Sequence, residues 1–214
     1  MTPKERGILM RGEMVLALLN NAIDSWPAEA LDPAKPFKWQ SRRPVKGIQH
    51  TVIKSSDNGK WYDADCINPG RELICPYGKK GDILWVKETF GIHKAQQGAR
   101  ITSLGPGWIC YRADKFGCPE TLVNSWEPSI FMSKRISRIR LQLMEEPTIE
   151  RVNDITDEDA KAEGVTLNHS LKTYDKGEAH RFEFRMLYDS IHGKIPSAFL
   201  KGSWVWKLVF KRIL

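Results

Sequence analysis

The strictest constraint on this chain is a stretch in which apolar and polar residues alternate one by one. Over residues 138–143, Ile139, Leu141 and Leu143 alternate with Arg138, Arg140 and Gln142. Successive side chains of a strand point to opposite faces, so this pattern predicts a half-buried strand with one wet, basic face. The stretches GDILWVKETF (residues 81–90) and WVWKLVFKRI (residues 204–213) also predict strands. Strand signals therefore dominate the chain.

Helical signals are fewer and shorter. Residues 13–20 show helical spacing of apolar side chains. Thr156 is a good N-cap for a second helix, acidic residues follow it in the first turn, and Gly164 ends the segment. Residues 180–192 carry one apolar stripe, which predicts a third helix. More strands than helices predict an α+β fold, a mixed β-barrel with short flanking helices.

The length of 214 residues fits one domain with loop insertions better than two full domains. Residues 21–36 contain several prolines and little pattern, and residues 91–125 are rich in glycine and irregular. We therefore expect a single domain over residues 1–214, with insertions near 21–36 and 91–125. The insertions are expected to form either a lid or additional packing.

The chain carries a formal net charge of +7. A basic balance favours polyanionic partners such as RNA, DNA or an anionic membrane, and the alternative is a soluble protein that is simply basic. The sequence shows no signal peptide and no run of about 18 apolar residues, so we expect a cytoplasmic protein without a membrane partner. In that compartment its four cysteines are expected to be reduced. The four are Cys66, Cys75, Cys110 and Cys118.

No metal or cofactor is expected from the sequence. The intervals between the cysteines lack the close C-x-x-C pairing of structural zinc sites, and the five histidines show no ligand spacing. Neither a P-loop nor a G-x-G-x-x-G fingerprint occurs.

Several segments, taken in order, resemble the ASCH family of PUA-like proteins, in particular its longer versions from phages and prophages. They are RGILMRGEMVLALL (6–19), KWQSRR (38–43), CPYGKKGDILWVKETF (75–90), the DITDEDAKAEGV helix (154–165) and the closing WVWKLVFKRI strand. The resemblance implies a β-barrel related to RNA-binding PUA domains. The chain departs from the family in three places: residues 21–36 intervene before KWQSRR, and Trp39 and Ser41 stand where threonine is usual.

The resemblance also implies a catalytic set. Some small ASCH proteins are amidohydrolases that remove the acetyl group of N4-acetylcytidine, and their lysine, threonine and glutamate correspond to Lys38, Ser41 and Glu163. A serine hydroxyl needs a base, which a partly desolvated lysine supplies, and a carboxyl group can protonate the leaving amine. Residues three apart on a regular strand face opposite sides, so we expect the KWQSRR segment to bend, bulge or turn. The alternative is that Lys38 contacts phosphate and Ser41 is a plain loop hydroxyl.

A second set of residues is expected to bind substrate or RNA. Arginine forks suit phosphate, and an aromatic ring in basic surroundings suits an unpaired base. This set comprises Trp39, Arg42, Arg43, Lys87, Glu88, Arg138 and Arg140. The alternatives are a solvated basic surface, a surface ion pair between Lys87 and Glu88 and, for Trp126, Trp204 and Trp206, a place in the core.

The residues leave more than one function open. One is a hydrolase that acts on RNA or a nucleoside, either at the amide of N4-acetylcytidine or at a phosphodiester of single-stranded RNA. Another is a non-catalytic module that reads a base or a modification. A third is a phage accessory protein whose partner is another protein.

Overall fold

The structure is a computed structural model. It describes residues 2–32, 35–48, 51–64, 70–96, 98–100, 103–114, 120–167, 178–193 and 199–214. The chain divides into two compact units. Unit 1 comprises Met1–Lys38, Gly81–Gln142 and Lys211–Leu214, and unit 2 comprises Trp39–Lys80 and Leu143–Phe210. The expectation of one domain over the whole chain stays a prediction.

The described residues form a mixed α and β fold with few helices, as the alternating patterns predict. The strands are β1 (Glu5–Leu9), β2 (Gln40–Pro44), β3 (Thr51–Lys54), β4 (Trp61–Ala64), β5 (Arg71–Glu72), β6 (Ile83–Lys87), β7 (Phe90–Ile92), β8 (Ile109–Tyr111), β9 (Arg140–Leu143), β10 (Thr148–Arg151) and β11 (Trp204–Arg212). The helices are α1 (Gly12–Leu19), α2 (Asp157–Ala162) and α3 (Ala179–His192).

Unit 1 contains a sheet in which β6 is the middle strand. It pairs in parallel with β1 and antiparallel with β9. Burial alternates along β6 and β9, so that Leu84, Val86 and Leu141 are buried while their neighbours are partly exposed. The predicted half-buried strand near residue 140 is therefore confirmed.

The predicted insertion near 91–125 contributes to the core of unit 1. β7 and β8 form an antiparallel pair in which Phe90 lies opposite Tyr111. A buried apolar cluster unites residues from this pair with side chains on either side of it, namely Phe90, Leu104, Ile109, Met132 and Ile136. The described part of this insertion thus packs as part of the fold.

Unit 2 contains a sheet in which β11 lies between β2 and β10, antiparallel to both. A separate antiparallel sheet has the order β3, β4, β5. The helices α2 and α3 and the segments next to them in the sequence enclose a further apolar cluster. Its buried members are Val152, Ile155, Ala160, Val165, Phe184, Tyr188, Phe199 and Val205. β11 is buried along most of its length, because it has neighbours on both sides.

The predicted boundaries of α2 are confirmed. The Thr156 hydroxyl accepts a hydrogen bond from the backbone N–H of Asp159, which satisfies one of the free donors at the helix start. Gly164 has a φ of 77°, a conformation that favours glycine and ends the helix. These two signals place Glu163 at the C-terminal end of α2 as its C-cap residue.

Two expectations about the environment of the chain have different outcomes. Within the described residues, no helix combines the length and the apolar character needed to cross a bilayer. The expectation that all four cysteines are reduced is wrong for Cys110, which is disulfide-bonded. Sequence spacing gave no sign of this bond, because a disulfide depends on how close two cysteines come in the fold.

Candidate functional site

Strand β2 buries polar side chains where an apolar residue would be the usual choice. Gln40, Ser41 and Arg42 are all buried. Arginine is almost never fully buried unless it is paired, so the burial of Arg42 requires partners nearby.

Those partners are three carboxylates of unit 2. The Nε of Arg42 donates to Glu150 at 2.6 Å, and Nη2 donates to Asp159 at 2.6 Å. Nη1 donates to Glu163 at 3.2 Å and to the side-chain oxygen of Gln40 at 3.3 Å. We call these residues, together with Lys207, the Arg42 cluster. The guanidinium side chain is 0% exposed, so the expectation that Arg42 contacts phosphate is not supported by its position.

The sheet register explains why Asp159 belongs to this cluster. Arg42 on β2 lies directly opposite Lys207 on β11, and two like charges in that arrangement repel each other. Asp159, at the third position of α2, accepts hydrogen bonds from both cations, from Arg42 at 2.6 Å and from Lys207 at 2.8 Å. The acidic first turn of α2 therefore holds this pair of cations together.

The cluster shifts the pKa values of Arg42 and Asp159. Burial alone would lower the pKa of Arg42, but the carboxylates of Glu163, Glu150 and Asp159 outweigh burial and raise it. For Asp159, burial would raise the pKa, whereas Lys207 and Arg42 outweigh burial and lower it. Both shifts favour the charged forms of Arg42 and Asp159.

The backbone of Trp39 lies beside the end of α2, where Glu163 follows Ala162. The backbone N–H of Trp39 donates to the carbonyl oxygen of Ala162 at 3.0 Å, which ties this segment to the end of α2. Glu163 is itself buried. Arg43, which follows Arg42, is partly buried, and burial lowers its pKa against the opposing effects of Tyr77 and Glu163.

Lys38 is the last residue of its segment of unit 1 and immediately precedes Trp39. It is only 1% exposed and is among the largest fully buried side chains in the described part of the chain. Its backbone N–H donates to the side-chain oxygen of Asn21 at 3.0 Å, and the Asn21 amide donates to the Lys38 carbonyl, so the start of the 21–36 insertion fixes this backbone. Residues 38 and 39 precede β2 and carry no regular secondary structure, so the rule for residues three apart on a strand does not govern Lys38 and Ser41.

A second ionic group, built around the buried carboxylate of Glu88, lies in unit 1. Arg138 donates to both oxygens of Glu88, at 2.8 and 2.9 Å, and also to Asp114. Its guanidinium lies 4.1 Å from the centre of the Tyr111 ring. Burial raises the pKa of Glu88 despite the opposing effect of Arg138, whose own pKa is raised because these carboxylates outweigh burial. Glu88 and Arg138 thus bind each other, and Glu88 is buried, so the alternative of a surface ion pair between Lys87 and Glu88 is not what the structure shows.

Lys87 and Arg140, the other two predicted binding residues, lie on a different face. The Lys87 ammonium is 5.1 Å from the centre of the Trp85 ring and donates to the carbonyl oxygen of Ile130 at 2.7 Å. Arg140 donates from Nη2 to the carbonyl oxygen of Lys134 at 2.9 Å. Of the tryptophans expected in the core, Trp206 is buried there, whereas Trp126 and Trp204 are partly exposed.

Sequence reasoning missed the partners in both ionic groups. Glu150, Lys207 and Asp114 carry no local motif, although a lysine in the apolar run WVWKLVF is a sign that an acidic partner is close. In the part of the chain that the structure describes, no group of three or more histidine, cysteine, aspartate or glutamate residues could hold a metal ion.

Fold and site together define a mixed α and β protein whose β2 strand and α2 end share a buried polar cluster. No known protein family, curated protein or solved structure matches the chain. The function must therefore be inferred from the chemistry of the residues themselves.

Proposed function

We propose that the protein is an ASCH-type, PUA-like hydrolase that acts on RNA or a nucleoside, with N4-acetylcytidine as the substrate to test first. The observation that carries the proposal is the burial of Lys38, Ser41 and Glu163. Buried ionisable groups are expensive, and they concentrate where a protein needs their chemistry. The hydrogen bond from Trp39 to Ala162 supports the proposal further, because it joins the KWQSRR segment to the end of α2.

Each residue has a defined role in the proposed reaction. Lys38 takes the proton from the Ser41 hydroxyl, and Oγ attacks the acetyl carbonyl carbon. The Glu163 carboxylate relays this proton to N4, so that the C–N bond breaks and cytidine leaves while the acetyl group stays on Ser41. Water then cleaves the acyl-serine ester, releases acetate and restores the hydroxyl. Arg42 acts as a positioning residue, because its contact with Glu163 fixes that carboxylate.

The alternative is a non-catalytic RNA-binding module that recognises a base or a modification. The observation that favours it is the commitment of Arg42 to three carboxylates, which gives the cluster a structural role in holding β2 against α2. In this case Lys38 contacts the ligand and Ser41 contributes only a hydrogen bond.

The test measures release of cytidine from N4-acetylcytidine by liquid chromatography, with acetylated and plain single-stranded RNA as further substrates. We expect Ser41→Ala and Lys38→Met to lower turnover by about 100-fold or more, because each removes a proton-transfer partner or the nucleophile. Matched controls are Ser103→Ala and Lys60→Ala, which alter exposed residues and should keep wild-type turnover.

Two results would refute the hydrolase. One is the absence of turnover of all three substrates by a folded wild-type protein, and the other is full turnover by Ser41→Ala. Salt-dependent RNA binding without turnover would support the binding module instead. Cleavage of plain RNA would keep the hydrolase and change the bond that it attacks.

A further inference from the structure

The outer face of the unit 1 sheet carries an aromatic ring among cations. The alternation along β1, β6 and β9 turns one set of side chains inward and presents the other set on the opposite face. That outer face comprises Glu5, Gly7, Leu9, Ile83, Trp85, Lys87, Arg140 and Gln142, all of which are exposed or partly exposed. It is the wet, basic face that the alternation near residue 140 predicts, extended over three strands.

Trp85 occupies the middle of this face. Its register partners are Gly7 on β1 and Arg140 on β9. A side chain at position 7 would crowd the indole, because a Cβ built there would lie 3.0 Å from Cζ2 of Trp85. Glycine at this position lets the indole lie close over the β1 backbone.

In the residues that the structure describes, the two cations beside Trp85, Lys87 and Arg140, are not paired with a carboxylate in the way that Arg42 and Arg138 are. Lys87 and Arg140 each donate to a main-chain carbonyl oxygen, which is neutral, whereas Arg42 and Arg138 are bound to carboxylates. The Arg140 Nη1 is enclosed and makes no hydrogen bond within the described part of the chain. A guanidinium with an enclosed, unsatisfied donor gains by turning toward an incoming acceptor.

The rim of the face adds apolar and charged groups. The carbonyl oxygen of Ile130 accepts a hydrogen bond from Lys87. The next residue, Phe131, is 68% exposed, whereas Met132 after it is buried in the core. Lys134 forms an ion pair with Glu5 at 2.7 Å, so one carboxylate faces three cations on this surface. Ile130 is exposed as well, so this rim carries two adjacent apolar side chains, and contiguous apolar patches are found at interaction sites.

We infer that the outer face of β1, β6 and β9 binds a single-stranded polynucleotide. A base stacks on Trp85, and Lys87 and Arg140 contact the adjacent phosphates. Stacking on aromatic side chains flanked by cations is the general way in which proteins hold unpaired nucleic acid. The positive charge favours this polyanion over a neutral or cationic peptide. The surface uses none of Lys38, Ser41 and Glu163, so the inference does not rest on the proposed hydrolase.

The test measures the fluorescence anisotropy of a labelled oligouridylate of about 12 nucleotides, a length in the range that one such surface covers. An oligodeoxythymidylate of equal length shows whether the 2′-hydroxyl contributes, and polyphosphate as competitor separates stacking from charge. We expect Trp85→Ala to weaken binding about fivefold or more, and Trp85→Phe to retain most of it. Lys87→Ala should lower the slope of log affinity against log salt by about 0.7.

Lys54→Ala is the matched control, because Lys54 lies 5.5 Å from the centre of the Trp61 ring in unit 2, a similar cation and ring pair. Lys54→Ala should bind as the wild type does. The inference fails if the wild type shows no salt-dependent binding. It also fails if Trp85→Ala and Lys87→Ala bind as Lys54→Ala does. Full competition by polyphosphate, together with no effect of Trp85→Ala, would show that charge alone accounts for the binding and would refute stacking. Oligonucleotide binding and turnover of free N4-acetylcytidine are separate readouts on the same wild-type protein, and the nucleoside is too small to need the unit 1 surface, so the two proposals can fail separately.

Discussion

Replacing Arg42 with methionine should destabilise the protein severely. The substitution keeps a long apolar side chain and removes the charge that three carboxylates share. Glu150, Asp159 and Glu163 would then face one another with only Lys207 as a cation of the cluster. Because the Arg42 side chain is fully buried, solvent cannot replace the lost contacts.

The expected loss in the free energy of unfolding of Arg42→Met follows from the burial of the Arg42 side chain. Removing one partner of a buried ion pair typically costs about 3–5 kcal/mol. For a protein of this size, each kcal/mol lowers the melting temperature by about 2–4 °C, so we expect a drop of about 6–20 °C. Lys207→Met removes a single ion pair of a side chain that is partly exposed, and should cost about 1 kcal/mol or less.

The assay is thermal and urea-induced unfolding followed by tryptophan fluorescence. It should be repeated as the pH is lowered, because the pKa of Asp159 is depressed in the folded state. The stability that this group contributes is present above its ordinary pKa near 4 and is lost as the pH falls through the depressed value. The difference between wild type and Arg42→Met should therefore be largest near neutral pH and shrink in acid. A variant as stable as Lys207→Met, or a difference that is independent of pH, would refute this account.

Two further outcomes are expected from single residues away from the proposed sites. Burial, reinforced by Asp189, raises the pKa of Tyr188 to about 12, so stability should fall as the pH rises from about 10 to 12, and Tyr188→Phe should abolish this fall in urea unfolding. Thr156→Ala should cost about 1 kcal/mol through loss of the α2 cap, whereas Thr156→Ser should restore most of it; equal stability of both variants would contradict the capping role.

The local features of this fold could be predicted from the sequence because their causes are local. Thr156 and Gly164 set the ends of α2 through their own chemistry, and the alternation near Arg140 follows from the two-residue period of a strand. Burial of most of β11 could not be predicted, since it depends on which strands lie on either side. The disulfide at Cys110 could not be predicted either, because it requires two cysteines to come within bonding geometry in the fold.

The sequence singled out residues of β2 and of the α2 end as a candidate site, but it could not give their ionic partners. The partners of Arg42 lie between 108 and 121 residues away along the chain, so no local pattern connects them. A sequence shows how many cations a segment has, whereas the field that a polyanion meets depends on which cations remain after ion pairing. Arg42 and Arg138 are bound by carboxylates, while Lys87 and Arg140 bind neutral carbonyls.

This difference separates two uses of positive charge in one chain. In unit 2, the charge of Arg42 holds a strand and a helix end in fixed positions, which is what a reaction centre at Ser41 and Glu163 would require. In unit 1, Lys87 and Arg140 lie beside a partly exposed aromatic ring, and we propose that their charge is available to a ligand from outside. Charge-removing variants should therefore divide into two groups: those at Arg42 lose stability, and those at Lys87 lose salt-dependent binding while the protein remains folded.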